Sequence, residues 1–170
     1  MATAWTAIAS TTVGSGGAAT VTFSSIPQTY KNLIIKVSAR NSRSAGEAEL
    51  RWTINGNGAS YANRLVQGNG GSVSGGTTGT TYFYSGEITA ATATANIFGS
   101  ADIYIPDYTG GKYKNVSAET VSENNAAGAY TTLTNGLWSN TEAITSIAFY
   151  YSGGDWTQYS TFTLFGTNNS

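Results

Sequence analysis

The chain has 170 residues, no cysteine, no histidine, a net charge of −1, and only 10% charged against 40% hydrophobic residues. The missing cysteines exclude disulfides, thiolate nucleophiles and cysteine zinc sites, and the missing histidines exclude any His-containing triad and the commonest transition-metal ligand. A nearly neutral chain has no overall pull toward nucleic acid or an anionic membrane, so neither is expected as a partner, and no cofactor or metal is expected.

Aromatics make up 12% of the chain and glycine 21 positions, while Ser, Thr and Asn fill much of the remainder. Few charges with many aromatic and β-branched residues argue for an ordered fold, since disorder needs the opposite balance. The N-terminal MATAWTAIASTT has neither a basic region nor a long apolar run, so it does not read as a secretory signal. No stretch approaches the roughly 20 apolar residues that span a bilayer. Synthesis in a cytoplasm is expected.

Taken in order, residues 5–12 predict a weakly apolar first strand, which Gly14 to Gly17 break. Ala19, Val21 and Phe23 alternate with Thr20, Thr22 and Ser24, and the two strands are expected to form a hairpin over the Gly-Ser turn. After Pro27, residues 32–40 (NLIIKVSAR) carry the clearest alternation. Leu33, Ile35, Val37 and Ala39 point one way and Lys36, Ser38 and Arg40 the other. Residues 49–55 repeat it, with Leu50, Trp52 and Ile54 inward. The Asn55-Gly56-Asn57-Gly58 run is a turn, because Asn and Gly tolerate positive φ.

Residues 61–67 predict a strand, and 68–80 a long exposed Gly/Ser/Thr loop. A strand at 81–88 holds Tyr82, Phe83 and Tyr84 in a row. Residues 90–95 (AATATA) fit helix and strand equally. The strand at 97–105 places Ala101, Ile103 and Ile105 inward, and Pro106 stops it for want of a ladder donor. Further strands follow at 114–123, at 130–138 with a bulge at Gly136, at 144–151, and at 156–166 with Phe162 and Leu164 inward. About ten evenly spaced strands with Gly/Asn turns predict one all-β domain over 1–170. Its expected form is a single antiparallel two-sheet sandwich, jelly-roll-like. Residues 1–12 serve either as an edge strand or as an arm that touches a partner.

The residues offer little chemistry. Glu47 with Glu49, and Glu119 with Glu123, are same-face carboxylate pairs of the kind a glycosidase sets about 5 to 9.5 Å apart. Acidic residues on half-wet strands are ordinarily just solvated, and no enzymatic activity is expected. The run QGNGGSVSGGTTG lacks the following GK[ST] of a phosphate cradle. Adjacent aromatics point to opposite faces, so Tyr82, Tyr84 and Trp156 are candidate exposed anchors. Charge is uneven. Residues 31–64 hold six bases (Lys31, Lys36, Arg40, Arg43, Arg51, Arg64) against two acids, a balance of +4. The remainder holds two bases against seven acids, −5. Such asymmetry steers docking onto an acidic surface or a neighbouring subunit. The expected interface residues are Trp5, Lys36, Arg40, Arg43, Tyr82, Tyr84 and Trp156.

The segment IASTTVGSGGAATVTFSSIPQTYKNLIIKVSAR resembles the N-terminal part of a group of small structural proteins of tailed bacteriophages. ATATANIFGSADIYIPDY and the closing GLWSNTEAITSIAFYYSGGDWTQYSTFTLFGT fit the same pattern. The resemblance implies a virion β-sandwich, often of jelly-roll kind and often a homotrimer, with no catalytic residues to carry over. It implies a capsid decoration (cement) protein that binds the major capsid protein on the virion exterior, or the head domain of a head or tail fibre that binds a receptor or host-surface glycan. The chain shows no heptads or repeats of a fibre shaft, which favours the decoration role.

Overall fold

The structure is a computed structural model and describes residues 5–124 and 128–168. Residues 1–4 of the expected arm and 125–127 of an expected turn lie outside them. Twelve strands follow in order: β1 (Thr6–Thr12), β2 (Thr20–Phe23), β3 (Asn32–Ala39), β4 (Glu47–Ile54), β5 (Tyr61–Gly68) and β6 (Val73–Thr78). They continue with β7 (Phe83–Thr89), β8 (Gly99–Ile105), β9 (Lys114–Ser122), β10 (Tyr130–Trp138), β11 (Ile147–Tyr150) and β12 (Thr161–Thr167).

The twelve strands pair antiparallel throughout. One sheet runs β1-β12-β3-β8-β9-β10-β5-β6 and the other β2-β11-β4-β7. Leaving out β5, β6, β9 and β10, successive strands alternate between the sheets except for β4 and β7, which pair with each other, and the two four-strand orders β1-β12-β3-β8 and β2-β11-β4-β7 are those of a jelly roll. The four remaining strands are two insertions that widen one sheet from four strands to eight.

The alternation read from the sequence sets the core. Leu33, Ile35, Val37 and Ala39 of β3, Leu50, Trp52 and Ile54 of β4, and Ala101, Ile103 and Ile105 of β8 are all buried. β8 ends at Pro106 as expected. Three expectations are corrected. β1 and β2 form no hairpin: β1 pairs with β12 and β2 with β11, in different sheets. The supposed loop at 68–80 contains β6, an edge strand held by β5 and closed by a turn in which Asn69 Oδ1 accepts the Gly71 and Ser72 amides. β10 has no bulge at Gly136; its register with both neighbours is continuous. The missing side chain there instead makes room for the Phe83 ring.

The inserted strands are tied down by β7, which packs across onto β9 and β10. β7 carries an extra residue between its pairings at Glu49 and Arg51, and this bulge resets its parity. Gly86 lies in the bulge at φ +124, and a Cβ there would meet the Thr120 and Thr132 Cβ atoms at 2.8 and 2.9 Å. So close an approach leaves room for small residues only, and the layer beneath β7 is Ser85, Thr120, Thr132 and Thr134. The Thr120 hydroxyl donates to the Ser85 carbonyl across the gap. Gly86→Ala is expected to lower stability by about 2–4 kcal/mol through overpacking and backbone strain. Gly76→Ala on open β6, where nothing lies within 4 Å, should stay within about 0.5 kcal/mol. Urea unfolding of both variants measures the difference.

Candidate interaction surface

The structure separates the seven expected interface residues. Trp5 and Lys36 come together: Trp5 is 51% exposed, leans on Phe165 with ring centroids 5.7 Å apart, and has the Lys36 ammonium 5.2 Å above its ring. Trp156 is corrected. It is fully buried, with Nε1–H donating to the Phe149 carbonyl at 3.1 Å and its ring against Phe162. Tyr84 is also corrected. It lies on the outward side of β7, opposite Arg51, but is 95% buried and donates its hydroxyl to Glu87. Tyr82 is half-buried and covered by the Arg51 guanidinium at 4.4 Å, with Tyr151 on that guanidinium too at 4.9 Å.

The basic block does not form a basic surface. Lys31 pairs with Asp107, Lys36 with Asp102, and Arg51 with Glu49. Arg43 donates to the Glu47 carbonyl and lies over Tyr151. Arg40 spreads its guanidinium over the carbonyls of Ala91, Ala93, Thr94 and Ile97. The planar five-donor fork suits this use. Its own carbonyl accepts the Thr157 amide, while Asn41 Nδ2 donates to Gly154 O and the Ser42 amide to Asp155 O. Arg40 and Asn41 thereby weld the loops at 40–46, 90–98 and 151–160 into one rigid end.

One acid stands apart. Glu87 faces Glu49 across the β7–β4 ladder, and its Oε2 is buried without a partner. Burial raises its pKa from 4.5 to about 7, the Glu49 and Glu47 charges add to the rise, and the Tyr84 hydroxyl and Arg43 oppose it. Tyr130 also reaches this site through its interaction with Tyr84.

The surface missed by sequence reasoning is the outer face of the eight-stranded sheet. In register across β8, β9, β10 and β5 lie a row Tyr104, Ser117, Asn135, Arg64 and a row Asp102, Glu119, Leu133, Val66. Tyr104, Leu133 and Val66 are 40%, 57% and 45% exposed. The depressions between them are shallow, about 550, 300 and 340 Å³, and all three share Ser117. The clue was parity. Buried Trp138 and Gly136 force Thr134 and Thr132 inward and Leu133 outward, the reverse of what hydrophobicity alone directs. Far from this face, at the welded end, Tyr159 is 68% exposed on a left-handed backbone at φ +72, within the turn closed by Ser160 N–H to Thr157 O.

No helix among the described residues is long and apolar enough to cross a membrane. Comparison with protein-family models, with curated proteins and with solved structures finds no match for this chain.

Two outcomes follow from this geometry. A proton on Glu87 stabilises the fold fully below pH 4.5, and that contribution is lost as pH rises through about 7. Glu87→Gln should therefore melt higher than wild type at pH 8, by on the order of 2 kcal/mol, and match it at pH 5, as read by thermal melts across pH. Arg40→Lys loses the four-carbonyl fork, and should cost about 1–2 kcal/mol and speed proteolytic cleavage within 90–98.

Proposed function

We propose that the protein is a non-enzymatic structural component of a tailed-phage virion, a decoration protein that binds the assembled capsid shell from outside and stabilises it. The supporting observation is where the three resembling segments lie. Residues 8–40, 91–108 and 136–167 supply β2, β3, β8, β11, β12 and most of β1, six of the eight strands of the jelly-roll framework. What recurs in the resemblance is thus a contiguous scaffold. The parts outside it are chiefly β4, β7 and the inserted strands. In this role the protein acts by mass action: binding across subunit boundaries of the finished shell adds its binding free energy to the shell's resistance to expansion. The major capsid protein is the proposed partner, and a homotrimer belongs to the same reading.

Tyr159 favours a second reading, a receptor- or glycan-binding fibre head. A bulky residue on a left-handed backbone carries strain, and here the strain holds an exposed ring out from a rigid end.

The test is addition of the purified protein to capsids that lack it. Saturable binding in many copies per shell, with a rise in the shell's disruption temperature, is the expected result. Absence of shell binding, with adsorption to host cells that Tyr159→Ala abolishes, would move the assignment to the fibre head.

A further inference from the structure

We propose that the outer face of the eight-stranded sheet is a self-association face that takes a second copy of this chain, packed about a rotation axis running along β10. The proposal names a surface for self-association, and it stands without the virion role.

Three observations carry it. The first is area. With the axis along β10, strands β8, β9, β10, β5 and β6 of the two copies overlie one another; four spacings of about 4.8 Å by about seven residues rising ~3.4 Å each give on the order of 450 Å². That is about half of what each partner contributes to a standard stable interface, the size of a reversible association. The second is chemistry. Leu133 and Val66 are cross-strand neighbours and exposed, and Tyr104 stands near them. They adjoin the hollows around Ser117, so the face offers both projections and sockets. Exposed apolar groups in a contiguous patch mark an interaction surface.

The third observation is charge. Lys36 and Asp102 on this face neutralise each other. Among the described residues, Glu119 and Arg64 form no ion pair. They flank β10 on opposite sides: Glu119 is paired with Leu133 from β9, and Arg64 with Asn135 from β5. An axis along β10 therefore brings the β9 flank of one copy against the β5 flank of the other. Glu119 then lies over β5 of the second copy, about 7 Å along the strand from Arg64 and about 10 Å from it across the gap between the sheets, roughly 12 Å between backbones, a span that extended Glu and Arg side chains bridge together. The same operation gathers Leu133 of each copy at the axis. Acids on one flank and the free base on the other make the face complementary to itself, and no like charges meet.

The test is sedimentation velocity on the full chain and on charge-swapped variants, all at exposed positions. Wild type is expected to sediment as a closed oligomer. Glu119→Arg alone and Arg64→Glu alone should each shift it at least tenfold toward monomer, and the double swap should restore it. Leu133→Lys should give monomer with an unchanged melting curve for the separated chain. A monomeric wild type, single swaps without effect, or a double swap that does not recover would overturn the proposal. Shell binding by a monomer would leave the decoration role intact while removing this face, so the two readings fail separately.

Discussion

A continuous run of aromatic rings between the two sheets holds the molecule together. Trp52 stacks on Phe83 at 4.4 Å and touches Phe149 at 5.9 Å. Phe149 passes the contact to Phe162, and Phe162 to Trp156. In the other direction Phe83 meets Tyr61 edge-on, and Tyr61 lies against Trp138. Strands β5, β10 and β12 of the wide sheet and β4, β7 and β11 of the other feed this run, with Trp156 from the loop before β12. Each such pair adds about 0.5–1.5 kcal/mol beyond its buried area. Two tight glycine sites serve it directly. Gly136 admits the Phe83 ring from the facing strand, and Gly86 lets β7 sit low enough on β9 and β10 for that ring to arrive.

This constraint explains which parts of the fold were legible. Strands with apolar residues on one face and polar on the other, β3, β4 and β8, are readable because the sheets bury one face and wet the other. The edge strand β6 is exposed on both faces, so VSGGTT has no apolar period to betray it. The β1–β2 hairpin failed for a different reason. Its Gly-rich turn is sound local chemistry, but the jelly roll sends β1 and β2 to opposite sheets, and local turn signals do not encode that choice. Inverted β10 escaped notice because its inward threonines answer to the closeness of β7, a contact between residues far apart in sequence. Trp156 and Tyr84 were expected at the surface on the adjacency of aromatics alone, and adjacency does not say which ring the second sheet will cover.

Charge shows the same gap between order along the chain and order in space. The +4 block at 31–64 looks like a docking patch in one dimension. Folding places Asp102 and Asp107, from a distant part of the chain, beside Lys36 and Lys31, and turns Arg40 and Arg43 onto backbone carbonyls. Exposed pairs of this kind are worth at most about 1 kcal/mol each. Their larger effect is to leave a surface with little field of its own. Arg64, among the described residues, forms no ion pair and donates only to the carbonyl of its own neighbour Asn63.

The rigid end and the open face then divide the work that any partner would require. Ordering loops and side chains on association costs free energy. At the loop end that ordering is already complete within the monomer, because Arg40 and Asn41 hold three loops by backbone hydrogen bonds. On the sheet face the backbone is fixed by ladders on both sides of β10, and Leu133, Val66, Ser117 and Asn135 project as short groups between Tyr104, Glu119 and Arg64. On both surfaces the backbone is already ordered, so the ordering cost of association falls on side chains, chiefly Glu119 and Arg64. A separate cost lies inside the molecule, where the hydroxyls of Thr132 and Thr134 and the indole N–H of Trp138 lie buried without partners. Thr132 and Thr134 stand where apolar side chains would ordinarily go. Their small, polar character is the consequence of the same close packing that pushes Leu133 out onto the open face.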